Sequence, residues 1–441
     1  MLRNRLGYSK LALNHKMQFE VPGRRRARRA LSFLAALLGL AMPAIVLAQV
    51  RPVFPAAGPK PIGPYSPGID AGDYVYVSGQ GARAPDGTMP SAFDGQVRQT
   101  LENVKTILAA VCLTLEHVVY AHLYLEDIAR FAEANRVWAD YFPKDPPARA
   151  SLGVAKLPGT PVEITVVAVR DLARRKVVSV RGYEAGEPVS HGILTHDRLF
   201  ISGMRGRELA SGRIPQDPGA QVDLALDGMT AVAEAAGLSL KHMVFVNPYL
   251  TPNVPMDTMN ELYARRFEFG NTPARATIRV ASLPEGAQIE FTGVAVRDLQ
   301  HRRAVRPKNM APSPTASPCV FAGDALYCSA KSGFIPGPNG GIFASTVEHQ
   351  LRQTMRNLLD NLEEAGLDFS HVVATNVYLD DISEFQAMNR IYAKYFSATP
   401  PTRTTIQQVA PVTRQPDEEG RYPTLEQISL IAIRPSAHIR R

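Results

Sequence analysis

Apolar and polar positions follow two periods along this chain, and the switch between them recurs. Tyr74-Val-Tyr-Val-Ser-Gly79 is a β-rich run ending at glycine and predicts one arm of a hairpin. Apolar side chains then fall at Val97, Leu101, Val104, Leu108 and Val111, in steps of four and three. That spacing puts them on one face of a helix. Val118–Leu125 reads as a strand, and a second helix carries Asn135-Arg-Val-Trp-Ala-Asp-Tyr-Phe142. Two strands close the unit, one opening at Pro147-Ala-Arg149 and one over Val162–Val169.

The unit is written three times. Asn260-Glu-Leu-Tyr-Ala and Asn389-Arg-Ile-Tyr-Ala return 125 and 129 residues apart, and Pro273-Ala-Arg275 and Pro401-Thr-Arg403 follow them. His117, His242 and His371 keep the same period at a helix-to-strand junction, where a structural role is expected. The helical steps reappear at Leu351, Met355, Leu358 and Leu362. Such a period is domain-sized. It predicts α+β units of order β-β-α-β-α-β-β over residues 59–172, 183–299 and 311–435. Helices would cover one face of each sheet, and three units would cover the other faces as a closed pseudo-threefold ring. The basic joints Arg170–Lys176 and Arg297–Arg303 read as solvated linkers.

Charge sharpens the picture. The chain has 49 Lys+Arg and 41 Asp+Glu, a formal +8. Nine of the basic and one of the acidic side chains lie in residues 1–48, so 40 of each remain beyond them. Arg24–Arg29, the apolar run Leu31–Met42, and Val46-Leu47-Ala48 before Gln49 have the order of a secretory signal. The apolar run is too short to span a bilayer. Residues 1–48 are therefore expected to be a signal peptide, removed on export to the periplasm by either the general or the twin-arginine route. The balanced body argues against nucleic acid as partner, and no membrane association is expected after cleavage. A self-contained monomer with a small carboxylate-bearing substrate is expected.

The three cysteines have no metal-ligand spacing, so no metal is expected. A two-residue turn at Gly323-Asp324 would set Cys319 opposite Cys328, either as a disulfide or as two buried thiols. No GxGxxG, P-loop, GxSxG or HExxH motif occurs.

Gly63-Pro-Tyr65-Ser-Pro67, Val77-Ser-Gly79-Gln, Gln99-Thr-Leu-Glu-Asn103, the Asn135 helix, Pro147-Ala-Arg149 and Val162-Glu163-Ile resemble the Rid (YjgF-type) family of reactive-intermediate deaminases. The resemblance implies a chorismate-mutase-like fold, sites in clefts between units, and no cofactor. It also implies hydrolysis of small 2-imino acids and their enamines to 2-keto acids and ammonia, as by 2-iminobutanoate/2-iminopropanoate deaminases. By that resemblance Arg149, Arg275 and Arg403 hold the substrate carboxylate, with Asn135 beside them. A planar guanidinium suits this task. Glu163 and Glu290, with Glu426 as the third of the set, would position or activate water. Tyr65 and Ser78 would complete the catalytic group. Val189 and Ala316 stand where the tyrosine would be, so one well-furnished cleft and two weaker ones are expected. Ser151, Thr277 and Thr405 replace a cysteine common in the family. A non-catalytic carboxylate binder and, last, a ribonuclease are the alternatives.

Overall fold

The computed structural model describes residues 50–183, 186–337, 340–396 and 398–435. Expectations about the leader in residues 1–48 lie outside these residues. Repeat one contains β1 (Arg51–Val53), β2 (Gly68–Asp70), β3 (Tyr74–Gly81), α1 (Phe93–Ala109), β4 (Val118–Leu125), α2 (Phe131–Tyr141), β5 (Ala148–Gly153) and β6 (Val162–Val169). Repeat two contains β7 (Lys176–Val178), β8 (Gly192–Leu194), β9 (Arg198–Arg205), α3 (Pro218–Ala235), β10 (Met243–Leu250), α4 (Met256–Ala264), β11 (Ala274–Arg275), β12 (Ile278–Arg279) and β13 (Ile289–Val296). Repeat three contains β14 (Arg302–Val305), β15 (Cys319–Ala322), β16 (Ala325–Ser332), α5 (Val347–Glu364), β17 (Val372–Leu379), α6 (Phe385–Tyr392), β18 (Thr402–Gln407) and β19 (Glu426–Ile433).

Each repeat forms its own mixed sheet, in the order β1-β2-β3-β6-β4-β5 for the first. The β4–β5 pair is parallel and its α2 crossover covers the sheet. The predicted unit is present three times, with one addition. The joints are solvated, but their ends continue into edge strands β7 and β14, which pair with β8 and β15. The joints therefore extend the sheets they were expected only to link.

Helix faces make the first core layer. Val97, Leu101, Val104 and Leu108 of α1 pack with Trp138 of α2 against β3, β4 and β6. Equivalent clusters fill repeats two and three. The opposite sheet faces meet one another. Tyr76, Val119, Phe200, Val244, Tyr327 and Val373, two from each repeat, share a single cluster. Tyr124, Tyr249 and Tyr378 share another. With both faces covered, β4, β10 and β13 are buried at every position, and the alternation of a half-solvated strand is lost. A fully buried aliphatic side chain contributes about 1.5–3 kcal/mol, so this layer alone favours the closed ring.

Two smaller expectations resolve. Ala322 pairs with Ala325 across the Gly323-Asp324 turn, and Cys319 and Cys328, directly opposite, form a disulfide. His117, His242 and His371 each accept, through Nδ1, the backbone N–H of the residue that opens a short 3-10 turn (Thr114, Ser239 and Asp368), at 3.1, 3.1 and 3.2 Å. They cap turns.

Candidate active site

The three arginines occupy one structural position. Arg149, Arg275 and Arg403 each lie on the edge strand following the second helix, where the preceding proline removes a donor but leaves the arginine's own N–H free to reach across. That N–H goes to a serine of the next repeat. Arg149 donates to Ser202 Oγ at 2.8 Å, Arg275 to Ser329 Oγ at 2.8 Å, and Arg403 to Ser78 Oγ at 2.9 Å. Repeat one thus meets two, two meets three, and three returns to one. Each serine lies in a β-bulge, where two residues oppose one on the neighbouring strand and the hydroxyl is turned out of the sheet. Each also donates to a backbone carbonyl at 2.6 Å: Ser78 to Ser66, Ser202 to Ser190, Ser329 to Ser317. The Ser78 hydroxyl is consumed by this stitch, so we move it from the catalytic group to the frame that positions Arg403.

Behind the serine comes Gly79, Gly203 or Ala330. A Cβ on Gly79 would lie 1.9 Å from Glu163 Oε1, and one on Gly203 would lie 2.0 Å from Glu290 Oε1. Glycine there makes room for a carboxyl group. In repeat three the room is gone, and so is the glutamate. Tyr124 pairs with Glu163, Tyr249 with Glu290, but Tyr378 with Gln427. The expected third glutamate, Glu426, is one position out of register. It faces the helix layer, fully buried, and accepts a hydrogen bond from Thr354 of α5. A one-residue step turns a strand side chain to the other face.

The three clefts differ sharply. In cleft three–one, Arg403 lies beneath Tyr65, with its guanidinium carbon 5.1 Å from that ring, and between Phe385 at 5.3 Å and Tyr392 at 5.0 Å. Tyr65 therefore serves the arginine of repeat three, a pairing that sequence left open. Its hydroxyl accepts the Ile62 N–H at 3.2 Å, and burial raises its pKa. Arg403 Nη2, Asn389 Oδ1 and Thr405 Oγ1 are buried with no hydrogen-bond partner. Tyr65, Glu163, Arg403 and Thr405 line one pocket. Burial pushes the Glu163 carboxyl up to about 8 against the pull of Arg403, so at neutral pH it is mostly protonated.

In cleft one–two, the charge of Arg149 is already paired, although its Nη1 is buried without a hydrogen-bond partner. Its Nη2 donates to Asn135 Oδ1 and pairs with Glu187 Oε2 at 2.7 Å. Glu187 also binds Arg205 at 2.6 Å. Burial opposes its ionisation, but the two guanidinium groups hold its pKa below the ordinary value. Glu290, likewise pushed up to about 8 by burial, accepts the Ser151 N–H at 3.1 Å. Glu187 occupies the place of Gly63: each lies three residues before the serine (Ser190 or Ser66) that bonds to the preceding repeat's proline carbonyls. A Cβ on Gly63 would lie 2.5 Å from Arg403 Nη2. Where cleft one–two has its own carboxylate, cleft three–one has a gap.

Cleft two–three is the plainest. Arg275 Nη1 donates to Asn260 Oδ1 at 2.9 Å. Gln427 Nε2 donates to Gln408 Oε1 at 2.9 Å and lies 3.4 Å from the Thr277 carbonyl. It has neither the tyrosine nor the glutamate.

The model of the family described as endoribonuclease L-PSP matches residues 56–170, 182–297 and 308–416, once per sheet. The chain belongs to this family. It carries three YjgF-like, chorismate-mutase-like units in one polypeptide. A RutC family protein of Saccharolobus solfataricus is 40% identical over 119 residues, 26% of this chain and 94% of that protein. The mitochondrial protein MMF1 of Saccharomyces cerevisiae is 35% identical over 125 residues, 28% of this chain and 86% of its own. The solved YjgF structure of E. coli is 33% identical, covers 27% of this chain and 99% of its own length, and has a TM-score of 0.27. Each of these relatives is one repeat long, whereas this chain carries three repeats.

Sequence reasoning missed Glu187, Gln427 and Gly63. The signal for Glu187 and Gly63 was present: aligning Ser66 with Ser190 sets the glycine against the glutamate.

Proposed function

We propose that the chain hydrolyses small 2-imino acids to 2-keto acids and ammonia, and that cleft three–one does the work. The observation that carries this reading is a buried Arg403 with an unpartnered Nη2, in one pocket with the buried carboxyl of Glu163 and with Tyr65. Family membership is compatible with several activities, and fold alone does not choose among them.

The substrate's carboxylate binds the Arg403 fork, which places the adjacent C=N group over the pocket floor. Glu163 gives its proton to the imine nitrogen, and the carbon becomes electrophilic. Water adds to that carbon while the Glu163 carboxylate takes the proton that water sheds. The resulting carbinolamine carries a hydroxyl and an amine on one carbon. Transfer of the hydroxyl proton to nitrogen expels ammonia and leaves the ketone. One imine and one water give one keto acid and one ammonia, with Glu163 restored. A carboxyl titrating near 8 suits both halves of this cycle at neutral pH. Tyr65 covers the guanidinium and orients it.

The test is keto-acid release from an imine generated by an amino-acid oxidase. The parent protein should accelerate it. Glu163→Gln should bind 2-oxobutanoate but lose turnover, and Arg403→Lys should lose both. Parent activity no faster than the protein-free rate would defeat the catalytic reading, and binding without turnover would favour a carboxylate binder. We propose export as well; mature protein beginning at Gln49 would support it. Among the described residues, no helix is long and apolar enough to cross a membrane.

A further inference from the structure

Cleft one–two contains a second pair that cleft three–one lacks. Arg207 binds Glu285 at 3.2 Å. Glu285 follows Leu283-Pro284, and its backbone is in the left-handed region at φ 59°, which costs a residue with a side chain. Gly159 follows Leu157-Pro158 at φ 70°. Arg83 stands where Arg207 does, two residues beyond Gly81, the partner of Glu163; Arg207 is two beyond Arg205, the partner of Glu290. Thus the arginine pair Arg149 and Arg207 meets two carboxylates of the chain itself, Glu187 and Glu285. The corresponding pair, Arg403 and Arg83, meets glycine at both places, Gly63 and Gly159.

The remaining contacts of Arg83 leave its charge unbalanced. Its guanidinium donates to the carbonyls of Gly87 and Gly159, each at 3.3 Å, and it is exposed. Arg83 and Lys60 line the same pocket as Arg403, and Glu163 is the one acid among its lining residues. A monocarboxylate would balance only one of these cations. We propose that the ligand of cleft three–one is a 2-imino diacid, its 2-carboxylate on Arg403 and its distal carboxylate on Arg83 and Lys60. This rests on the hydrolytic reading above and specifies its substrate. Cleft one–two carries within the chain the two carboxylates that cleft three–one takes from solution.

The experiment compares 2-oxoglutarate with 2-oxopentanoate, two five-carbon keto acids that differ in the distal carboxylate. Affinities are measured by calorimetry on the full chain, at low and at physiological salt. The dianion should bind about tenfold more tightly at low salt, with a smaller margin at higher salt, because the distal pair is exposed. In Lys60→Gln/Arg83→Gln the ratio should fall to about one; glutamine at position 83 keeps N–H donors for the two carbonyls while removing the charge. An unliganded melting temperature matching the parent's verifies its fold, and Lys60→Gln alone should reduce the ratio part-way. Equal affinities in the parent, or a preference that survives in the double variant, overturn the proposal. If monocarboxylic imines are hydrolysed while the two ligands bind alike, the diacid inference falls and the hydrolytic reading stands. If neither ligand binds and no imine is turned over, both fall.

Discussion

Replacing Glu187 with glycine should open cleft one–two. Glu187 bridges Arg149 and Arg205, and the Arg149 and Glu187 side chains are 0% and 6% exposed. Removing one partner from a buried ion pair costs about 3–5 kcal/mol, because the charge left behind is desolvated and unpaired. Arg205 keeps Glu285 at 3.6 Å, but Arg149 keeps only neutral side chains, Asn135 and Ser151. Urea denaturation of Glu187→Gly should therefore show a loss of that size. A small monocarboxylate should then restore what the side chain supplied. With 2-oxobutanoate at 100 times its dissociation constant in the new cleft, the recovery is about 2.7 kcal/mol. Calorimetric stoichiometry should rise from one to two ligands per chain. Glu187→Gln, which keeps the shape without the charge, should lose stability without gaining the second site. A Glu187→Gly chain as stable as its parent, still binding one ligand, would refute the claim that Glu187 fills the arginine's ligand position.

Three further outcomes follow from the same contacts. Glu163→Gln should lower kcat by about 10²- to 10⁴-fold with a smaller change in KM, the range for loss of a proton-transfer group; steady-state kinetics of keto-acid release checks this. Burial raises Glu426 from 4.5 to about 8, so the folded chain holds a proton that the unfolded chain has lost, and the stability this contributes is present below pH 4.5 and lost as pH rises through 8. Denaturation at several pH values should show Glu426→Gln removing up to about 1.4 kcal/mol per pH unit of that decline, and identical slopes would contradict it. Breaking the Cys319–Cys328 disulfide as the double serine variant should cost about 2–3 kcal/mol, read as a lower urea midpoint.

The helices and strands were legible because their apolar positions are periodic, and the ring was legible because the period is domain-sized. The three arginines showed themselves by recurrence beside proline. What sequence did not show was direction. Ser78 carries the right chemistry for catalysis, but its hydroxyl is held by Ser66 and Arg403, a fact of bulge geometry. Glu426 and Gln427 are adjacent polar residues on one strand, and only the pairing of Tyr378 with Gln427 decides which faces the cleft. Spacing does not decide it either: Glu163 and Glu290 lie 14 and 15 residues after their arginines, but Glu426 lies 23 after Arg403, because Asp417–Gly420 is inserted between them. Glu187 was hidden for another reason: a glutamate in a loop looks like any solvated charge until the arginine it meets, 38 residues earlier, is brought beside it.

The joints between repeats carry a consequence for how this protein can change. In a ring of identical separate chains, a glutamate at the place of Gly63 would shut every cleft at once. Here Gly63, Glu187 and Pro314 are three separately encoded residues at one geometric position. A substitution at one of them changes one cleft and leaves the other two as they were. On the proposed reading, two interfaces are thereby free to serve as mortar alone while the third holds the working centre.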